Sequence, residues 1–77
     1  MEKLIITAAV NGGITPRSKN PAVPHSPEEI AEAVVQCSMA GASVAHIHAR
    51  DAQGKPSYDH NIWKEIIDRV RERSDII

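Results

Sequence analysis

The sequence predicts an α/β chain in the order strand, helix, strand, helix, start of strand. Three observations predict it: an apolar, β-branched run from Lys3 to Val10, a second strand-like stretch from Val44 to Asp51, and an amphipathic helical pattern after each. Strands that alternate with helices of a dozen residues form βαβ units, whose strands lie parallel.

Lys3 to Val10 lacks clean alternation and ends at Asn11-Gly12-Gly13, the pattern of a strand buried on both faces. Ile5, Thr7, Ala9 and Asn11 share one of those faces, which becomes more polar toward the C-terminal end, where parallel sheets place their chemistry. Asn11-Gly12-Gly13 reads equally well as a tight exit from the strand. From Ile14 to His25 the chain is a loop, interrupted by Pro16, Pro21 and Pro24, with Arg17 and Lys19 as solvated cations.

Ser26-Pro27-Glu28-Glu29 opens the first helix: Ser26 is the cap, Pro27 suits the first helical position and Glu29 completes a capping box. The helix is expected to run to about Ala40, with Ile30, Ala33, Val34, Cys37 and Ala40 as its packing stripe and Gly41 as its stop. Cys37 lies within that stripe and reads as a small core residue, not a nucleophile. His25 and His60 read as surface residues.

The second strand carries the chemistry. Successive strand side chains point to opposite faces, so His46 and His48 share one face while Ala45 and Ile47 line the other. Their alpha carbons stand roughly 6.5 to 7 Å apart along the strand, within reach of one metal ion held at about 2.0 to 2.1 Å from nitrogen. A catalytic zinc normally takes three protein ligands, so a further ligand must come from elsewhere. Two hydrogen-bonded histidines near a sheet end are the plainer alternative.

Asp51 to Tyr58 reads as a loop containing Gly54 and Pro56. Asp59 then caps a second helix to about Arg73, with Ile62, Trp63, Ile66, Ile67 and Val70 on its buried face. Lys64 with Asp68 and Glu65 with Arg69 are opposite charges four residues apart on its outer side. Ser74 to Ile77 reads as the opening of a third strand, so residues 1–77 are expected to be a single partial domain, the N-terminal part of a longer protein.

Composition narrows the class. Of 77 residues, 42% are hydrophobic and 25% charged, with a formal net charge of -1. That is an ordinary globular balance with no basic bias toward nucleic acid. No apolar run approaches the ~18 residues that span a membrane, and Cys37 has no partner for an internal disulfide. A cytoplasmic location is the expectation.

The βαβαβ order suits either an open doubly wound sheet or the first part of a TIM (β/α)8 barrel of roughly 250 residues. Asn11-Gly12-Gly13 lacks the third glycine of a dinucleotide loop and leads into a long loop, not a helix. Metal-ligating histidines on a strand suit the barrel, whose C-terminal rim gathers ligands from several strands.

Thr7-Ala8-Ala9-Val10-Asn11-Gly12, Pro24 to Glu29, and Ala40-Gly41-Ala42 leading into His46-Ile47-His48-Ala49-Arg50-Asp51, with Gly54 and Pro56 after it, carry a resemblance. In order and spacing they resemble the N-terminal part of the beta-keto acid cleavage enzyme family over essentially the whole chain. The resemblance implies a truncated TIM barrel, a homo-oligomer when full length, and Zn2+ or another divalent metal held by His46 and His48 with a glutamate from a late strand. It also implies that a beta-keto acid and acetyl-CoA exchange to give acetoacetate and a new CoA thioester.

Asn11 and Gly12 would then lie at the substrate pocket's rim, with Arg50 near the exit of the metal strand, as an ion-pair partner of Asp51 or a support behind the ligands. The main acid and base groups would lie beyond Ile77. Position 14, acidic in some relatives, is Ile14 here, a departure that bears on recognition of an amino-bearing substrate. Two other readings stand beside this one: a zinc-dependent barrel hydrolase of the amidohydrolase kind, and a small non-catalytic βαβαβ metal-binding domain.

Overall fold

A computed structural model describes residues 4–13, 19–20 and 22–77. The elements run β1 (Thr7–Ala9), α1 (Pro27–Met39), β2 (Val44–His46) and α2 (His60–Arg71). Strands β1 and β2 pair in parallel with Thr7 opposite Val44, Ala8 opposite Ala45 and Ala9 opposite His46. Both long helices connect or follow strands as the alternation of periods required.

The expected third strand from Ser74 to Ile77 is not formed among the described residues, although Ile77 lies beside β2. Ile77 N–H donates to the Ser43 carbonyl at 3.0 Å, and its own carbonyl accepts from Ala45 N–H at 2.7 Å. Those two bonds straddle Val44 in the parallel pattern, so β2 is hydrogen-bonded along both edges.

Helix α1 starts as its sequence demands. Glu29 N–H donates to Ser26 Oγ at 3.1 Å while Ser26 N–H donates to Glu29 Oε1 at 3.0 Å, closing the capping box. At its other end Gly41 adopts φ 115°, with Gly41 N–H on the Ser38 carbonyl at 3.1 Å and Ala42 N–H on the Cys37 carbonyl at 3.0 Å. This is the Schellman closure, which needs a residue that tolerates positive φ. In α2, Asp59 Oδ1 accepts from Asn61 N–H at 2.8 Å, and Arg69 and Arg71 sit in the last turn, where the helix dipole favours cations.

The core lies between the helices and one face of the sheet. Ile30, Val34 and Ile66 are its fully buried large side chains, joined by Ala31, Ala49, Val70 and Ile76, with Ala45 and Ile47 packed against them. Trp63 joins its edge with the indole N–H donated to the Ser57 carbonyl at 3.2 Å. Arg73 forms an ion pair with Glu32 across the seam between α1 and α2, and the Ser38 and Ser74 hydroxyls meet at 2.7 Å.

Three further expectations need correction. Of the run expected as a strand from Lys3 to Val10, Lys3 lies outside the described residues and the strand among the rest is Thr7–Ala9. The run is not buried on both faces, for Leu4 and Ile5 ahead of the strand are 83% and 75% exposed and Thr7 and Ala9 within it are exposed. Among the described residues only one layer of helices covers the sheet, so a run apolar on both faces hides only one of them. The buried stripe of α1 is Ile30, Ala31, Val34 and Val35, with Ala40 exposed. Ala31 and Val35 turn inward because α1 also packs against α2, a neighbour that the helix's own periodicity does not reveal. Likewise Ile67 is 49% exposed, on the rim of α2's apolar face.

Candidate functional site

His46 and His48 project from the sheet face opposite the helices. Their ring centroids are 5.2 Å apart and the planes tilt by 49°. His46 is exposed and His48 half-buried, so the pair is open to a ligand while its strand is anchored from behind by Ala45 and Ile47. Among the described residues no third histidine, cysteine or acidic side chain completes a three-group cluster with them.

The residues after β1 hold this pair from the side. Beyond Ala9 and His46 the ladder continues through a side chain: Asn11 Oδ1 accepts from His48 N–H at 3.0 Å, and Asn11 Nδ2 donates to the His48 carbonyl at 2.9 Å and to the Pro24 carbonyl at 3.3 Å. A carboxamide is a peptide group in miniature, so Asn11 occupies the place of one more ladder residue. Gly13 lies against the His48 ring, where a Cβ would stand 3.1 Å from Nδ1.

Arg50 is 2% exposed and donates from Nε to the Gly12 carbonyl at 3.0 Å, with a second bond from the same guanidinium to that oxygen. It also reaches the Gly54 carbonyl at 3.5 Å. The neighbouring Asp51 turns the other way: its Oδ1 accepts from Gln53 N–H at 2.9 Å and Lys55 N–H at 3.0 Å, forming an Asx turn. Arg50 is thus a buried tie between two loops, and the Asp51 carboxylate is engaged by its own loop.

His25 is half-buried, not a plain surface residue. Its Nε2 meets the Asp51 carbonyl at 3.1 Å, and since a carbonyl only accepts, Nε2 carries the hydrogen. The tip of the ring rests on Gly54, whose φ is 85° and whose Cβ, if present, would stand 2.9 Å from Nε2. His60 is exposed, as expected.

The structure therefore brings Asn11, Gly12, Arg50, His46 and His48 to one end of the sheet. Sequence reasoning missed the roles of Gly13, His25 and Gly54; the two glycines were signalled only by standing where the chain turns sharply, and His25 by nothing local. Ile14 and Arg17 lie outside the described residues. A groove of about 90 Å³ lined by Val34, Ala45, Ile47, Ile66, Ile67 and Val70 sits on the helix side, away from the histidines, and is apolar. No helix among the described residues is long and apolar enough to cross a membrane.

The described residues thus form an α/β unit that presents an HxH pair, two nitrogen donors, at the end of a parallel strand. The chain belongs to the beta-keto acid cleavage enzyme family, whose family model matches residues 3–77. It is 44% identical over 73 residues to a 3-keto-5-aminohexanoate cleavage enzyme of Fusobacterium nucleatum, covering 95% of this chain and 27% of that protein. A protein of the same name from Acetoanaerobium sticklandii is 42% identical over 72 residues, 94% of this chain and 26% of its own length. The 3,5-dioxohexanoate:acetyl-CoA acetone transferase of Paraburkholderia graminis is 34% identical over 76 residues, 97% of this chain and 24% of its own. The chain thus spans about a quarter of the length of the curated relatives it matches. These matches lend no support to a hydrolase or to a non-catalytic domain.

Proposed function

We propose that the protein to which this chain belongs transfers carbon units between a beta-keto acid and acetyl-CoA, releasing acetoacetate and a new CoA thioester. Family membership over residues 3–77 carries the reading, and the relative named as an acetyl-CoA transferase supports the choice of co-substrate. The same reading makes the chain the first strands and helices of a TIM barrel in a cytoplasmic homo-oligomer. Two parallel strands, with Ile77 hydrogen-bonded along the free edge of β2, and helices on one face only, fit such a start.

His46 and His48 are our proposed ligands for a divalent metal, zinc by preference. Two imidazoles on one open face, with centroids 5.2 Å apart, suit a borderline ion that favours nitrogen donors. The remaining ligands would come from outside the described residues. When bound, the metal would supply positive charge beside the keto and carboxylate oxygens, where negative charge develops as carbon bonds break and form.

The chain's own residues prepare that position. Ala45 and Ile47 pack against the core behind it, Asn11 holds the His48 backbone, and Arg50 ties down the Gly12 carbonyl. Gly12 itself is exposed and leaves backbone open at the rim for substrate. Asn11, with its amide engaged by His48 and Pro24, supports the rim more than it contacts substrate.

Incubation of the purified protein with a panel of beta-keto acids tests the reading. Acetoacetate should appear only when acetyl-CoA is supplied, and prior removal of metal by a chelator should abolish it until Zn2+ is restored. Hydrolysis of a substrate without CoA would overturn the proposal.

A further inference from the structure

We infer that Asn11 is a positioning residue for the histidine pair: by clamping the His48 backbone on both its N–H and its carbonyl, it fixes where the His48 imidazole stands relative to His46. The inference rests on the reading of His46 and His48 as metal ligands.

Backbone pairing between the strands ends at Ala9 and His46, two residues short of His48. A strand end without a partner is free to twist, whereas a metal tolerates ligand distances only within about 0.2 Å. Asn11 closes that gap with bonds of 3.0 Å from His48 N–H and 2.9 Å to the His48 carbonyl. The chemistry fixes the orientation of the amide: His48 N–H can only donate, so Oδ1 faces it, while both carbonyls can only accept, so Nδ2 faces them.

Asn11 is itself 8% exposed, and its bond to the Pro24 carbonyl at 3.3 Å ties the clamp to the segment that enters α1. Gly13 bounds the other side of the ring, for a Cβ there would stand 3.1 Å from His48 Nδ1. Backbone clamp and ring contact come from residues two apart on one segment, so the exit of β1 determines the pose of His48 just beyond the end of β2.

The probe is Co2+, titrated into the metal-free protein as its source produces it and followed by ligand-field absorption, which reports coordination geometry. Asn11→Ala should bind Co2+ about 10- to 100-fold more weakly, with an altered spectrum, while circular dichroism shows a folded chain. Asn11→Asp keeps the acceptor for His48 N–H but turns a carboxylate oxygen toward the His48 and Pro24 carbonyls, which also only accept, so it too should bind Co2+ more weakly than wild type. Gly13→Ala, which leaves the clamp intact and presses on the ring, should also shift the spectrum; it carries the test with Asn11→Asp if Asn11→Ala fails to fold.

Wild-type affinity and spectrum in folded Asn11→Ala or Asn11→Asp would overturn the positioning role alone. Unchanged Co2+ binding in a His46→Ala/His48→Ala protein would overturn the metal reading beneath it, and the inference with it.

Discussion

The guanidinium of Arg50, in the segment that follows β2, donates to the main-chain carbonyl of Gly12, in the segment that follows β1, with an Nε to oxygen distance of 3.0 Å. Residues 38 positions apart are thereby tied at the open end of the sheet. Truncation of Arg50 to alanine leaves that carbonyl without its donor, a loss on the order of 2 kcal/mol in unfolding free energy. Arg50→Lys should recover little of it, because a single ammonium does not reproduce a fork that spans the Gly12 and Gly54 carbonyls. Urea unfolding of the three proteins decides the matter; wild-type midpoints for Arg50→Ala would show that the tie contributes nothing.

Gly54 and Gly41 both adopt positive φ, at 85° and 115°, but only Gly54 has a side chain against it. Gly41→Ala should therefore lose about 1 to 2 kcal/mol from backbone strain, and Gly54→Ala more, since its Cβ also meets His25 Nε2. Adding His25→Ala to Gly54→Ala should narrow the difference. Thermal melts of the four variants would reveal equal losses at the two glycines if the His25 contact were immaterial.

Ile66 and Ile67 are adjacent on α2 with opposite fates: Ile66 is fully buried, whereas Ile67 is on the rim. Ile66→Ala opens a cavity between the helices and the sheet and should destabilise by about 2 to 5 kcal/mol. Ile67→Ala should cost less than about 1 kcal/mol. Reversal of that order in chemical denaturation would mean that α2 packs with a different face.

Across the helix seam, the hydrogen bond from Arg73, and after it that from Gln36, hold the Glu32 carboxyl below its ordinary value. A carboxylate whose pKa is lower in the folded state binds fewer protons there than in the unfolded chain. Its contribution is present above the unfolded pKa and lost as pH falls through the folded one. Replacing Glu32 by Gln should thus lower Tm near pH 7 and leave it nearly unchanged at strongly acidic pH. Both side chains are about half exposed, so the effect is small and should shrink further in high salt. An equal offset at both pH values would exclude the charge as its origin.

Much of the local structure was legible. The capping box at Ser26 and Glu29, the Gly41 stop, the Asp59 cap and the shared face of His46 and His48 all follow from residues within a few positions of one another. The α/β order was legible because helix and strand periods differ. Burial was not legible in the same way: Leu4 and Ile5 read as core from their side chains alone, and within these 77 residues they are exposed because exposure depends on whether another layer lies over them.

By itself the sequence determined the order of strand and helix, where the helices start and about where they stop, and that two imidazoles emerge side by side, because each depends on chain stereochemistry over a turn or less; the extent of the strands it overstated. Only the tertiary structure decided the register of Thr7 with Val44, and with it that Asn11 meets His48, that Arg50 reaches Gly12 and that His25 rests on Gly54. Those contacts join residues far apart in the chain, and no local preference selects among the many pairings that distant segments can make; the burial of Ile30, Val34 and Ile66 selects one.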